Sequence, residues 1–403
     1  MIKNSSVLVI IFFLSLISFR VAYDLINGIE YHYEEAQYWV WSQNLSLSYL
    51  TKGPFVASII SFSNSIFGKS YLGLKFFSLL AYIGTIIFIS CSSLALNKDK
   101  NIGATALIIT GLSPAVFFLG GVASTDIYLF FFWSLALFGY IKFTLNKDVR
   151  WFYFIALATG LGLLTKLSMA LLPISILIYF LFTEYRKYFC SIHLYSSALF
   201  AILIASPIVI WNIENDWLTL SHEMEHLVSG TSNNNPEILL MTMVFTVPSA
   251  VFLFMRDIRA KFFSKENSFL LIPFLIMFSF FLLKSFSGKI QLNWTIPLFL
   301  TLLPLLAYAV NNKTKSVIVL SFFILSPIFL LSNKQISSLF SDKDPMHTMR
   351  GWNQTYEYLF KDQTYNLLSS SDYKLLSTAA YFLGEAKMLR LEADANRRLA
   401  HYD

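Results

Sequence analysis

From residue 6 to residue 332 the chain alternates apolar runs with short segments that hold most of its charge. A helix needs about 20 mostly apolar residues to cross a bilayer's hydrocarbon core. Eleven segments qualify, some only with tilt: 6–23, 71–96, 102–120, 126–145, 151–165, 167–183, 194–211, 237–255, 268–284, 293–310 and 316–332. The run 151–183 is too long for one helix and is interrupted at Thr165-Lys166, which divides it. The stretch 54–67 is short for a span and reads as interfacial or re-entrant. Composition agrees, because 13% of residues are charged and 56% are hydrophobic, whereas soluble domains carry about 25% charged residues. The first run follows Lys3 and has no convincing small-residue cleavage site, so it reads as a retained first span. The expected fold class is an all-α polytopic membrane protein of about 11 transmembrane helices. Residues 1–332 form its membrane domain, 24–54 its first outside loop, and 333–403 a small extracytoplasmic, α/β-like C-terminal domain.

Loop charges orient the chain. With the N-terminus in the cytoplasm, the inside loops hold Lys98 and Lys100, Lys147 and Arg150, Arg186 and Lys187, four cations from Arg256 to Lys265, and Lys313 with Lys315. Every inside loop is basic, as the positive-inside rule requires. The net charge of +6 therefore belongs to membrane orientation, and no nucleic-acid partner is expected. Cys91 and Cys190 fall near cytoplasmic span ends and form no disulfide or metal pattern.

Acids, histidines and tryptophans collect on the outside. The first outside loop holds Glu30, His32, Glu34, Glu35, Tyr38, Trp39, Trp41 and Lys52, and residues 34–44 suit an interfacial helix with both tryptophans as anchors. Asp126 begins a span, where the helix dipole alone would favour a carboxylate. The third outside connection carries Glu214, Asp216, His222 and His226. Its histidines have i, i+4 spacing, but the order HEMEH departs from the HExxH zinc motif, so a solvated amphipathic helix is the stronger reading and no metal is expected. Lys166, Lys284 and Lys289 are cations at outer span edges, suited either to snorkelling or to an anion such as a lipid-carrier phosphate. Arg20, Lys75 and Lys142 lie near span ends and suit snorkelling. These residues describe transfer from an anionic lipid donor to a hydroxyl acceptor, and equally a transporter vestibule.

A set of motifs in a fixed order separates the two. They are Glu34-Glu35-Ala36-Gln37-Tyr38-Trp39, the YLTKGP of Tyr49 through Pro54, Thr125-Asp126, and Leu164-Thr165-Lys166. Further along come Ser206-Pro207 with Trp211-Asn212 and Asp216-Trp217, then Asn293-Trp294, and finally Asp344-Pro345 with Gly351-Trp352. In this order they resemble the GT-C fold glycosyltransferases related to protein O-mannosyltransferases and the lipid A aminoarabinose transferase, and more closely their shorter bacterial relatives. The resemblance covers most of the chain.

The resemblance implies sugar transfer, with inversion, from a polyprenyl-phosphate donor to an extracytoplasmic acceptor (lipid A or another glycolipid, a polysaccharide or a protein). It also implies a place in the bacterial inner membrane. Carried over, Glu34 is the catalytic base, with Glu35 and Asp126 assisting; Lys52, Lys166 and Lys289 hold the donor phosphate. Tyr38, Trp39, Asn212, Asp216, Asn293 and Trp294 line the substrate pocket. Glu34 stands where the family usually has Asp, one methylene shorter. No cofactor is expected beyond the lipid-linked donor itself. The alternatives are a transporter or flippase, which inverted repeats and mid-span charges would mark, and an inactive scaffold of the same fold.

Overall fold

The computed structural model describes residues 2–97, 99–221, 224, 235–288, 290–339, 344, 346–361, 368–370, 372–384 and 389–391. The chain starts with α1 (Ile2–Ile26), the short α2 (Tyr33–Gln43), α3 (Phe55–Phe67) and α4 (Tyr71–Leu96). Next come α5 (Lys100–Gly111), α6 (Pro114–Gly120), α7 (Thr125–Asn146), α8 (Arg150–Leu163), α9 (Leu171–Leu181) and α10 (Ile192–Glu214). After α11 (Glu237–Thr246) and α12 (Arg256–Phe262) follow α13 (Ser268–Ser287), α14 (Leu292–Leu300), α15 (Leu303–Ala309), α16 (Thr314–Ser332) and α17 (Lys334–Ser337).

The chain is a multi-pass membrane protein. Among the described residues five helices are long and apolar enough to cross a bilayer, or up to nine if each bent pair is one span. Several expected spans are therefore not straight rods. The 102–120 run bends by 64° between α5 and α6, and the 293–310 run by 53° between α14 and α15. Proline opens the second half in both cases, Pro114 and Pro304, because it fits a helix's first turn but not its interior. Broken backbone in a membrane needs new partners. Tyr82 Oη donates to the freed Gly111 carbonyl at 2.7 Å, and Ser113 Oγ donates to Thr246 O at 2.8 Å, joining the α5–α6 break to the end of α11.

Helix α7 is the central post. Its apolar window is 72% buried, against 17% for the one that includes α16, and it packs between α4 and α8. Small residues allow such helices to approach closely: a Cβ on Gly160 of α8 would sit 2.7 Å from Ile204 of α10. At the other extreme, Phe322 and Phe323 of α16 and Leu199, Ile202 and Leu203 of α10 are exposed, as lipid-facing residues are.

The described part of the tail contains α18 (Trp352–Phe360), β1 (Leu368–Ser370), α19 (Tyr373–Leu383) and β2 (Leu389–Leu391). The two strands pair in parallel, Leu368 opposite Leu389, with α19 as the crossover. Helix α19 lies on α2 and roofs it. Tyr381 packs edge-on against Trp39 at 5.3 Å and tilts against Tyr31 at 4.5 Å. Glu30 accepts the Asn353 N–H at 3.0 Å, while its own N–H donates to Met349 O at 2.9 Å.

Two expectations are corrected here. Trp39 and Trp41 are not interfacial anchors: each is 3% exposed, the first under α19 and the second stacked on Tyr49 at 4.3 Å. Nor do Arg20 and Lys75 snorkel. They are 1% and 0% exposed, inside a network of buried carboxylates. Lys142 is half-buried, its ammonium lying over the Trp151 ring at 5.7 Å.

Candidate active site

The site is built where α2, α7 and the break after α8 converge. His32 caps α2: its Nδ1 accepts the Glu34 N–H at 3.3 Å, and Glu35 reaches back to the His32 N–H at 2.8 Å, completing a capping box. This places Glu34 in the first turn, half-buried, where the helix dipole favours a carboxylate. Gln37 and Tyr38, three and four residues on, share its face.

A cavity of about 400 Å³ opens beneath that face. Glu34, Gln37, Tyr38, Lys52, Lys166, Gln291, Trp294 and Tyr373 give it polar lining, and Leu167, Ala170, Leu171, Phe280 and Phe281 apolar lining. The two lysines arrive by a local device. Helix α8 ends at Leu163, and the backbone turns through Leu164 and Thr165, whose hydroxyl donates to Gly162 O at 2.6 Å. Gly53 lies directly on this turn: a Cβ there would stand 2.1 Å from Leu164 O. Phe55 N–H donates to the same carbonyl at 3.1 Å. The lysine before the glycine and the lysine after the turn thus line one cavity.

Lys166 is not alone. Its Nζ donates to Asp126 Oδ1 at 2.7 Å, and Asn293 Nδ2 donates to Asp126 Oδ2 at 2.7 Å. Asp126 sits at the second position of α7, after the N-cap Ser124, and is 4% exposed. Its charge is spent on these two partners rather than on capping. Burial raises the Tyr38 phenol pKa well above the ordinary value, and the Glu34 and Asp126 carboxylates add to it.

A second cavity of about 340 Å³ is also lined by Glu34. Arg20, His32, Ser124, Asp126 and Asn293 line it, and among the described residues Glu34 alone lines both cavities.

Glu35 has a different place. It is 0% exposed and lines neither cavity. One oxygen accepts the Ala123 N–H at 2.7 Å; the other faces Lys75 at 3.3 Å as well as the His32 N–H. Lys75 also donates to Gly121 O at 2.8 Å. Asp24 completes the network, paired with Arg20 at 2.6 Å and accepting from Tyr71 Oη at 2.9 Å. A carboxylate so fully engaged holds its neighbours in position, away from both cavities.

The remaining expected residues divide. Trp294 lines the first cavity. Trp39 does not, being covered by α19. Asn212 is 1% exposed and structural: its side chain accepts the Thr219 and Leu220 N–H groups at 3.2 and 3.3 Å. Asp216 is exposed in the turn this creates, at φ +51° with Trp217 at +59°. Two successive non-glycine residues in the left-handed region are uncommon. The turn brings Thr219 to the first loop, where its hydroxyl donates to Tyr49 O at 3.2 Å, and sets Leu220 on the cavity wall. Lys289, His222 and His226 lie outside the described residues. Among the described residues no group of three metal-ligating side chains exists. Sequence reasoning missed Gln37, which the i+3 spacing from Glu34 gives away, and Tyr373, which arrives from the tail with no local signal.

Known proteins resemble this scaffold over part of its length. Residues 51–211 match the family described as dolichyl-phosphate-mannose-protein mannosyltransferase. The match takes in Lys52 and Lys166, which line the first cavity, and Gly53 and Asp126, which contact the turn and the lysine. A lipid A galacturonosyltransferase, RgtD, from Rhizobium johnstonii is 26% identical over 209 residues, 49% of this chain and 42% of that protein. An uncharacterised protein of Aquifex aeolicus is 26% identical over 157 residues, 39% of this chain and 32% of that one. The matched stretch is thus less than half the length of either curated relative. The fold is that of ArnT from Cupriavidus metallidurans. Its structure bound to undecaprenyl phosphate superposes with a TM-score of 0.62 at 16% identity, over 92% of this chain and 74% of that one. Its apo state gives 0.64 at 15%, over 94% and 75%.

Proposed function

We propose that the protein is a membrane glycosyltransferase that moves a monosaccharide, with inversion, from a polyprenyl-phosphate donor to an acceptor hydroxyl. The observation that carries this reading is the first cavity. Two lysines line it together with Glu34, and leucine and phenylalanine side chains complete the lining. A lipid phosphate needs that pairing of cation and apolar wall, and the relatives point the same way, one named for galacturonosyl transfer and one seen with undecaprenyl phosphate.

In this scheme Lys52 and Lys166 hold the donor phosphate, with Lys289 a further candidate. Glu34 takes the acceptor's hydroxyl proton as its oxygen attacks the anomeric carbon. The bond from that carbon to the phosphate oxygen breaks, and its electron pair leaves with the polyprenyl phosphate. Preorganised cations at the developing phosphate charge lower the barrier without reorganising. Asp126 positions Lys166; Glu35 positions the backbone around both acids. The longer Glu34, in place of aspartate, meets its proton from a helix fixed at its N-cap. The scheme uses no metal.

Residues 1–332 form the membrane part, in the bacterial inner membrane with the N-terminus cytoplasmic and the site periplasmic, and 333–403 a cap over it. Transport is the weaker reading, since the charges buried near the site are paired with one another. The test is to supply purified protein in liposomes with undecaprenyl phosphate carrying galacturonic acid, aminoarabinose or mannose and to measure label in acceptor. Transfer from one of them supports the reading; binding or movement of the lipid without transfer to any acceptor contradicts it.

A further inference from the structure

The two helices of the tail lack end charges of their own, and the membrane part supplies both. Helix α18 begins at Gly351, an N-cap with no side chain, and has no acid in its first turn. Helix α19 ends at Gly384 and has no base in its last turn. A helix leaves unpaired N–H groups at its start and unpaired carbonyls at its end, with partial positive and negative charge respectively. The Glu30 carboxylate accepts the Asn353 N–H, in the first turn of α18, at 3.0 Å. Lys69 Nζ donates to Phe382 O, in the last turn of α19, at 2.8 Å. Each charge meets the helix end that it stabilises.

Rings fix the lysine further. Its ammonium lies over Tyr381 of α19 at 5.2 Å and over Trp39 of α2 at 5.9 Å. The two tail helices are also tied to each other: Tyr356 of α18 shares a hydrogen bond with Thr378 of α19 at 2.6 Å and donates to Leu375 O at 3.0 Å. The hold on α18 therefore bears on α19 as well. At the other end of α19 stands Tyr373, its first residue, about 13 Å from Phe382 at 1.5 Å per residue. Tyr373 is half-buried and lines the first cavity with Glu34, Gln37 and Lys52. Its ring meets that of Tyr33, the residue before Glu34, edge-on at 6.4 Å. Among the described residues it is the tail's one contribution to this lining.

We infer that Tyr373 binds the transferred sugar, and that Glu30 and Lys69 are positioning residues that hold it at the cavity through α18 and α19. The inference rests on the transferase reading above, in which the sugar's anomeric carbon is attacked beside Glu34. A tyrosine suits that place in two ways. Its ring covers the C–H face of a sugar, and its hydroxyl pairs with sugar hydroxyls. A bare polyprenyl phosphate offers neither group. The tail thus reads the sugar, while Lys52 and Lys166 read the carrier's phosphate. Breaking either helix-end contact frees α19 and withdraws the tyrosine, with no group of the membrane part removed from the cavity.

Comparing sugar-bearing with bare carrier tests this without an acceptor. The probes are undecaprenyl phosphate alone and the same lipid carrying mannose, galacturonic acid or aminoarabinose, with affinities read by native mass spectrometry. Wild type is expected to favour one sugar-bearing lipid over the bare one by at least tenfold. Tyr373→Ala, Glu30→Ala and Lys69→Met should each cut that preference at least fivefold. All three should bind the bare lipid within twofold of wild type, which also shows that they fold. Lys69→Arg keeps a donor for Phe382 O and should retain the preference. Hydrogen exchange of the α19 amides should rise in Glu30→Ala and Lys69→Met but not in Tyr373→Ala. A preference that survives Tyr373→Ala, or survives both Glu30→Ala and Lys69→Met, overturns the inference. So does loss of bare-lipid binding in all three, or an α19 that exchanges no faster without either contact. A wild type that transfers a sugar yet binds every lipid alike overturns it and leaves the transferase reading standing. A wild type that transfers none of these sugars removes both.

Discussion

The Glu35 carboxylate accepts a hydrogen bond from the Ala123 backbone N–H at 2.7 Å, although 88 residues separate them. Glu35 follows Glu34 directly, and Ala123 lies three residues before Asp126. One buried contact therefore ties the turn that presents the first candidate acid to the turn that presents the second. Lys75 stiffens it from the other side, bonding both Glu35 and Gly121 O.

Removing one partner of this buried pair is expected to be costly. Glu35→Gln leaves Lys75 without its nearest counter-charge, which typically costs about 3–5 kcal/mol. Adding Lys75→Met removes the stranded charge, and thermal denaturation should show the double variant recovering most of that loss. Transfer should remain on the order of 10²-fold below wild type, the penalty of a roughly 1 Å misplacement. Full activity in the double variant would mean the pair serves stability alone.

Lys166 is expected to bind the donor as well as Asp126. Lys166→Met should weaken undecaprenyl phosphate binding by roughly 10-fold to 10²-fold, the worth of a charge-assisted hydrogen bond. Asp126→Asn keeps the lysine but loosens it, so binding should fall less than transfer. Titration of both variants with the lipid decides between this and a lysine whose sole task is to neutralise Asp126.

Acid is expected to unfasten α2 at its cap. Burial lowers the His32 pKa from its ordinary 6.5, and Nδ1 must be unprotonated to accept the Glu34 N–H. The unfolded chain therefore binds the proton more readily than the folded one. Stability is full above 6.5 and falls as the pH drops below it toward the lowered folded value. His32→Asn keeps a capping acceptor that does not titrate. Its melting temperature should fall less between pH 7 and pH 5 than that of wild type, and an equal fall would contradict the assignment.

Gly53→Ala is expected to damage the site with no change of charge. The added carbon would meet Leu164 O at 2.1 Å, so the Lys52 loop must part from the Lys166 turn. Overpacking of this kind costs about 1–3 kcal/mol. Because it separates the two lysines, undecaprenyl phosphate binding should fall with it, which a purely structural glycine would not produce.

The parts legible in the sequence are those that depend on near neighbours. The break at Thr165-Lys166, the short helix after His32 and the lysine before Gly53 each follow from local spacing, and each frames the first cavity. Glu34 and Glu35 illustrate the limit. Adjacent residues on a helix point about 100° apart, and the sequence does not say which one faces a cavity. Arg20 and Lys75 look like snorkelling cations because their partners lie in other elements, Lys75 being 46 residues from Gly121. The burial of Trp39 depends on α19, more than 300 residues later. Bends were only half visible: proline marks where they fall, but not the angle.

The central claim is that Glu34, which lines both cavities, removes the acceptor's proton. Its most direct test is transfer by Glu34→Gln beside wild type, with undecaprenyl phosphate binding measured on the same preparations. Glutamine keeps the shape and loses the base, so transfer should fall by about 10²-fold to 10⁴-fold while lipid binding stays at wild-type strength. Transfer within a few-fold of wild type, with the lipid still bound, would contradict the account and shift the base to another residue.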